Sequence, residues 1–143
     1  IFDEWINALG EDHMWSYEYL QHLTHVVCSI GAHGHAIIVG RGASYILPKE
    51  VCLRLLVVAP LETRIRNVMQ AYNVAEKEAR RQVLRTEADR KAFIHKYFQR
   101  DMMDPTNYDL VVNTENLDVE LAARLVKEAF NNRQWYDYSG RNR

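Results

Sequence analysis

Three short apolar runs, Ala36 to Val39, Leu53 to Ala59 and Tyr108 to Val112, are separated by stretches whose apolar residues recur at helical spacing. Strands alternating with helices demand long crossovers, and long crossovers join parallel strands. The chain is therefore expected to fold as α/β, with a parallel sheet flanked by helices. Leu53-Arg-Leu-Leu-Val-Val-Ala59 is the strongest strand, rich in branched apolar residues and stopped by Pro60, and its centre is expected to be fully buried. Ala36-Ile-Ile-Val39 reads as a strand covered on both faces that runs straight into Gly40-Arg-Gly-Ala-Ser44.

The helices are read from periodicity. Phe2, Trp5, Ile6 and Leu9 form a short amphipathic helix ended by Gly10. Ser16 is placed to cap a second helix, whose stripe runs Tyr17, Leu20, Leu23, Val27 and Ile30 and which stops at Gly31 and Gly34. Pro60 opens a third, carrying Leu61, Ile65, Val68, Met69 and Tyr72. Asp118 starts the last, with Leu117, Leu121, Leu125, Val126 and Ala129 on its inner side, and the tail 131–143 is polar and aromatic.

Between strands two and three lies an arginine-studded segment, 73–104, read as a lid-like helical unit. From Glu76 to Asp101 it holds eight lysines and arginines against five acids, while the whole chain has a formal net charge of -1, so the positive charge is local. Its apolar spacing slips between Ala88 and Phe93, which predicts one broken helix or two. Arg81 and Arg85 share a face at i,i+4; Arg90 and Lys96 lie past the expected break and reach the same anion only if the segment folds back. Arginine forks that never deprotonate suit a polyphosphate, and a solvated helix face laced with ion pairs explains the same composition. Arg41, between two glycines, is either an anion fork or a loop arginine paired to an internal carboxylate.

Composition excludes some classes. With 48% hydrophobic and 26% charged residues the chain is a globular domain rather than a disordered one, and its near-neutral charge gives no general case for nucleic acid or an anionic membrane as partner. No run of eighteen apolar residues occurs. Cys28 and Cys52 read as two reduced buried thiols, which points to the cytoplasm. His22, His25, Cys28, His33 and His35 invite a metal site but lack Cys-x-x-Cys or His-Glu-x-x-His spacing, so they are taken as structural or surface residues and no metal ligand is assigned. None of the six glycines belongs to a Gly-x-x-x-x-Gly-Lys-Ser/Thr phosphate loop.

Taken together, Ile37-Ile-Val-Gly-Arg-Gly-Ala-Ser-Tyr-Ile46, Leu53 to Arg66, Asp89-Arg90, and Asp104-Pro-Thr-Asn-Tyr-Asp-Leu-Val-Val-Asn-Thr-Glu-Asn-Leu117 resemble the cytidylate kinase-like family. The resemblance covers roughly Ala36 to Phe130. It implies a three-layer P-loop kinase-like parallel sheet with flanking helices, and for the intact parent ATP as donor, Mg²⁺ as charge neutraliser and CMP or a related nucleotide as acceptor. By the same resemblance, Arg85 and Arg90 correspond to the catalytic lid arginines, Arg41 and Arg64 to substrate-binding arginines, and Asn113 and Thr114 to the loop bordering the donor base. The family's first strand and phosphate loop are not among these residues, so 1–143 is expected to be a single incomplete domain, a fragment inactive as it stands. A non-catalytic nucleotide-binding or regulatory module is the alternative. A sheet short of a strand would expose an apolar gap that a second copy of the chain could fill as a homodimer. Partners are otherwise a nucleotide or a phosphorylated small molecule.

Overall fold

A computed structural model describes residues 17–134. The helix expected over Phe2 to Leu9, the Ser16 cap and the aromatic end of the tail lie outside the described residues. Two compact units divide the chain, Ile1–Pro48 and Lys49–Arg143.

In the first unit, α1 spans Tyr17–His33 and α2 is the single turn Ala43–Ile46. Gly31, expected as a stop, lies inside α1, and its Cα faces Leu47 so closely that an added Cβ would meet that side chain at 2.6 Å. Small size, not chain termination, explains this glycine. Ala36 to Val39 forms no strand. Ile37 is 95% and Val39 79% exposed, against the expectation of a run covered on both faces. An apolar run becomes a strand only when another strand takes its N–H and C=O groups, and none among the described residues does. Cys28 is exposed rather than buried, one step around the helix from Val27, the buried residue of α1. Neither Cys28 nor Cys52 forms a disulfide.

The second unit carries the α/β architecture. Strand β1, Leu55–Val58, leads through Pro60 into α3, Leu61–Tyr72. Helix α4, Glu76–Phe98, follows, then a 3₁₀ turn at Pro105–Asn107, strand β2 at Leu110–Asn113, and α5 at Val119–Asn132. The strands pair in parallel, Leu55 opposite Leu110 through Val58 opposite Asn113. Parallel pairing through a helical crossover is what the alternating pattern predicts, with two strands among the described residues where three were expected. The centre of β1 is not fully buried, because Val57 is 56% exposed while its opposite number Val112 is 5% exposed. No described strand borders the other edge of β1.

Ile65 of α3 packs with Ala79 and Val83 of α4, joined by Leu61, Val68, Met69 and Val74. Asn73, in the left-handed region at φ 51°, turns the chain between the two helices, and asparagine tolerates that conformation better than most residues. Helix α4 is continuous through all 23 residues, so the break expected near Ala88 is absent. Its buried stripe Ala79, Val83, Ile94 is carried across the gap by Glu87 and Arg90, at the same helical spacing, and Glu87 meets an arginine of α3 there. An ion pair replaces the missing apolar contact. The last helix begins as expected, with Asp118 Oδ1 accepting from the Leu121 N–H at 2.7 Å.

Candidate anion site at the carboxyl end of the strands

Parallel strands present their carboxyl ends to ligands, and here that end is built by three residues named from the sequence. Arg64 sits in the first turn of α3, directly after β1. Its Nε donates to the Ala59 carbonyl at 3.1 Å and its Nη1 to Glu87 Oε2 at 2.8 Å. A guanidinium has five N–H donors, so three remain, and they meet no protein acceptor among the described residues. The side chain is 37% exposed.

Thr114 closes the adjacent carbonyl. Its N–H donates to Val58 O at 2.9 Å and its hydroxyl reaches the same oxygen at 3.3 Å. Asn113, level with Val58 in the sheet, folds its side chain onto its own loop by accepting from the Glu115 N–H at 3.0 Å. Successive carbonyls, Val58 and Ala59, thus accept from Thr114 and Arg64 respectively.

Glu87 is shared. Its Oε1 pairs with Lys91 one turn along α4, and the two cations outweigh its slight desolvation: Lys91 first, then Arg64, hold the carboxyl below its ordinary range. It therefore stays charged at neutral pH.

The other named arginines are distributed differently. Arg85 is 63% exposed, its Nε 3.9 Å from Asp89. Arg90, five residues on, lies about 140° around a continuous helix, so the structure does not bring the two onto one face. Arg90 follows the stripe of Ala79, Val83 and Glu87, one turn past Glu87, and is exposed. Arg81 pairs with Glu78 at 2.8 Å, and Arg80 reaches Glu62 on α3 at 3.0 Å as well as Glu76. In the first unit, Arg41 occupies a turn in which Gly40, Arg41 and Gly42 are all left-handed, at φ 72°, 58° and 68°. That conformation strains arginine and suits its two neighbours.

The opposite end of the strands has an arginine pair of another kind. Asp109 accepts from the Arg54 N–H at 2.8 Å and from its guanidinium at 3.0 and 3.2 Å, and Arg133 adds a bond at 2.9 Å. Arg133 also donates to the carbonyls of Cys52 and Lys49, tying the end of α5 to the entry of β1. Burial pushes the Asp109 carboxyl up, but the bonds from Arg54 and the charge of Arg133 together prevail and hold it low.

Glu87 and Arg133 were not singled out from the sequence. Glu87 had a signal, since it falls four residues after Val83 and four before Lys91, where an inward carboxylate would fill a gap in the stripe. Arg133 had none. Among the described residues no group of three His, Cys, Asp or Glu side chains could hold a metal ion, and no helix is long and apolar enough to cross a membrane.

A family model described as the cytidylate kinase-like family matches residues 1–116. A cytidylate kinase of Staphylothermus marinus is 27% identical over 95 residues, 66% of this chain and 54% of that protein. One of Methanocaldococcus jannaschii is 29% identical over 106 residues, 72% of this chain and 60% of its relative. The chain thus spans somewhat more than half the length of these curated relatives. A crystal structure of an uncharacterized protein from Eubacterium ventriosum superposes with a TM-score of 0.70 at 21% identity, over 80% of this chain and 64% of that one, which shows a shared fold.

Proposed function

The chain belongs to the cytidylate kinase-like family, and from that premise we propose that the intact protein transfers the γ-phosphoryl group of ATP to a nucleoside monophosphate of the cytidylate kind. The observation that carries this reading is Arg64, held by two bonds at the carboxyl end of β1 with three N–H donors to spare. A fixed guanidinium loses little freedom on binding and suits a phosphate.

In this reading Arg64 takes the phosphate of the acceptor, and the Asn113–Thr114 loop borders the donor base. Phosphoryl transfer spreads charge over equatorial oxygens, and arginines brought close at that moment lower the barrier. Arg90 is the lid arginine that continues the inner stripe of α4. Arg85, on another face of the same helix, would meet a second anion. The described residues offer no three-residue metal cluster, so no step is assigned to Mg²⁺ here, and any Mg²⁺ would come held chiefly by the nucleotide's own phosphates.

A second reading rests on the sequence itself. With no Gly-x-x-x-x-Gly-Lys-Ser/Thr loop among its six glycines, Ile1–Arg143 alone would bind a nucleotide without transferring phosphoryl groups. Calorimetric titration with CMP tests both. Binding by the wild-type chain is expected, and Arg64→Ala should weaken it about ten- to hundredfold, the worth of charge-assisted hydrogen bonds. Equal affinity in the variant would remove Arg64 from the site. Incubation with ATP–Mg²⁺ and CMP then separates the readings: CDP formation favours the kinase in this chain, and binding without product favours the module.

A further inference from the structure

Resting on the nucleotide reading above, we infer that Glu87 is a positioning residue, which fixes the Arg64 guanidinium for an incoming phosphate and links that site to α4. Arg64 has two anchors of different kinds. The Ala59 carbonyl belongs to the chain immediately after β1, whereas Glu87 belongs to the long helix. With the carbonyl alone, the guanidinium could swing about its Nε bond. Glu87 supplies the second point that sets its plane.

Three further observations point the same way. Glu87 occupies the inner stripe of α4, where an apolar residue would be expected, so the helix gives up a core contact to place a carboxylate there. Its other oxygen is held by Lys91, so the carboxylate is itself oriented. The three charges sum to +1, and an anion approaching Arg64 meets a net positive row rather than a neutralised pair.

Positioning and simple electrostatics predict opposite signs. Removing a carboxylate beside a phosphate site raises the local positive charge and by itself tightens anion binding. If Glu87 positions Arg64, its loss instead weakens binding despite that added charge. CMP affinity is therefore measured by calorimetry for the wild-type chain, Glu87→Gln, Glu87→Ala and Glu87→Asp. Alongside, the Arg64 Nη–H resonances are followed by ¹H–¹⁵N NMR at low temperature in the nucleotide-free protein, with circular dichroism as a check that each variant folds.

Expected are roughly three- to tenfold weaker binding for Glu87→Ala and Glu87→Gln, and partial recovery in Glu87→Asp. The Arg64 Nη–H signals, one of whose protons Glu87 accepts, should be resolved in the wild type and lost to exchange in Glu87→Ala. Tighter or unchanged CMP binding in both neutral variants would overturn the inference. So would an Arg64 signal indifferent to Glu87. If the wild-type chain bound no CMP, the nucleotide reading would fall and the phosphate role with it, and the NMR comparison would still show whether Glu87 fixes Arg64. Should Glu87→Ala not fold, the near-isosteric Glu87→Gln decides both measurements.

Discussion

At each end of the same two strands an arginine meets a carboxylate, and the two meetings leave different remainders. At the amino end, Asp109 receives Arg54 through backbone and guanidinium together, and Arg133 completes the set while seizing two carbonyls. At the carboxyl end, Arg64 is gripped at two points and its other three donors meet no acceptor among the described residues. The first arrangement spends its hydrogen-bonding capacity on the fold; the second holds capacity in reserve. Side-chain exposures of 18% and 23% for Arg54 and Asp109, against 37% for Arg64, express the same contrast. An arginine–carboxylate pair thus indicates function by the donors it leaves over.

The sharpest test of this contrast is to break the closed pair. Asp109→Ala strands two arginines in a poorly solvated place, and it is expected to cost about 2–4 kcal/mol of stability in urea unfolding, more than any change at the open pair. A loss no larger than that of Glu87→Ala would mean that the two ends are not differently built. Acid titration of stability gives a smaller effect. The folded Asp109 carboxyl is held low, so its contribution is complete above its unfolded value of about 4 and drains away as the pH falls through the lower folded value. Glu87 adds to the same slope with the same sign. Melting temperature should therefore decline below about pH 4, with a gentler decline in Asp109→Asn; identical curves would contradict the assignment. Smallest of all should be Glu62→Ala. It removes a cross-helix partner of Arg80 whose own side chain is 68% exposed, and a stability change below about 0.5 kcal/mol is expected.

Much of the second unit is legible in the sequence. Leu55–Val58, the Pro60 entry to α3, Leu110–Asn113 and the Asp118 cap all follow from local signals: branched runs, a fixed φ and a short acceptor side chain. Arg64, Asn113 and Thr114 could be placed at a strand end for the same reason. What escaped reading depends on partners distant in the chain. Ala36 to Val39 has the composition of a strand, yet strandhood is a relation between two segments. Glu87 drew no notice beside the slip in the apolar spacing because its partner, Arg64, lies 23 positions earlier. Arg133 sits in a stretch without periodicity, 81 residues from the carbonyl it holds.

Helix α4 is also a lever. Its 23 residues extend about 34 Å, and left-handed Asn73 and Gln99 stand just outside its two ends. Leverage follows from length alone: a tilt of about 10° at the Glu76 end would carry the backbone at Arg90 through about 4 Å. Glu87 sits near the midpoint, so the ion pair to Arg64 is a fulcrum brake, resisting small tilts with a torque arm of about 16 Å. Whatever competes for Arg64 acts on the end of the lever from its middle.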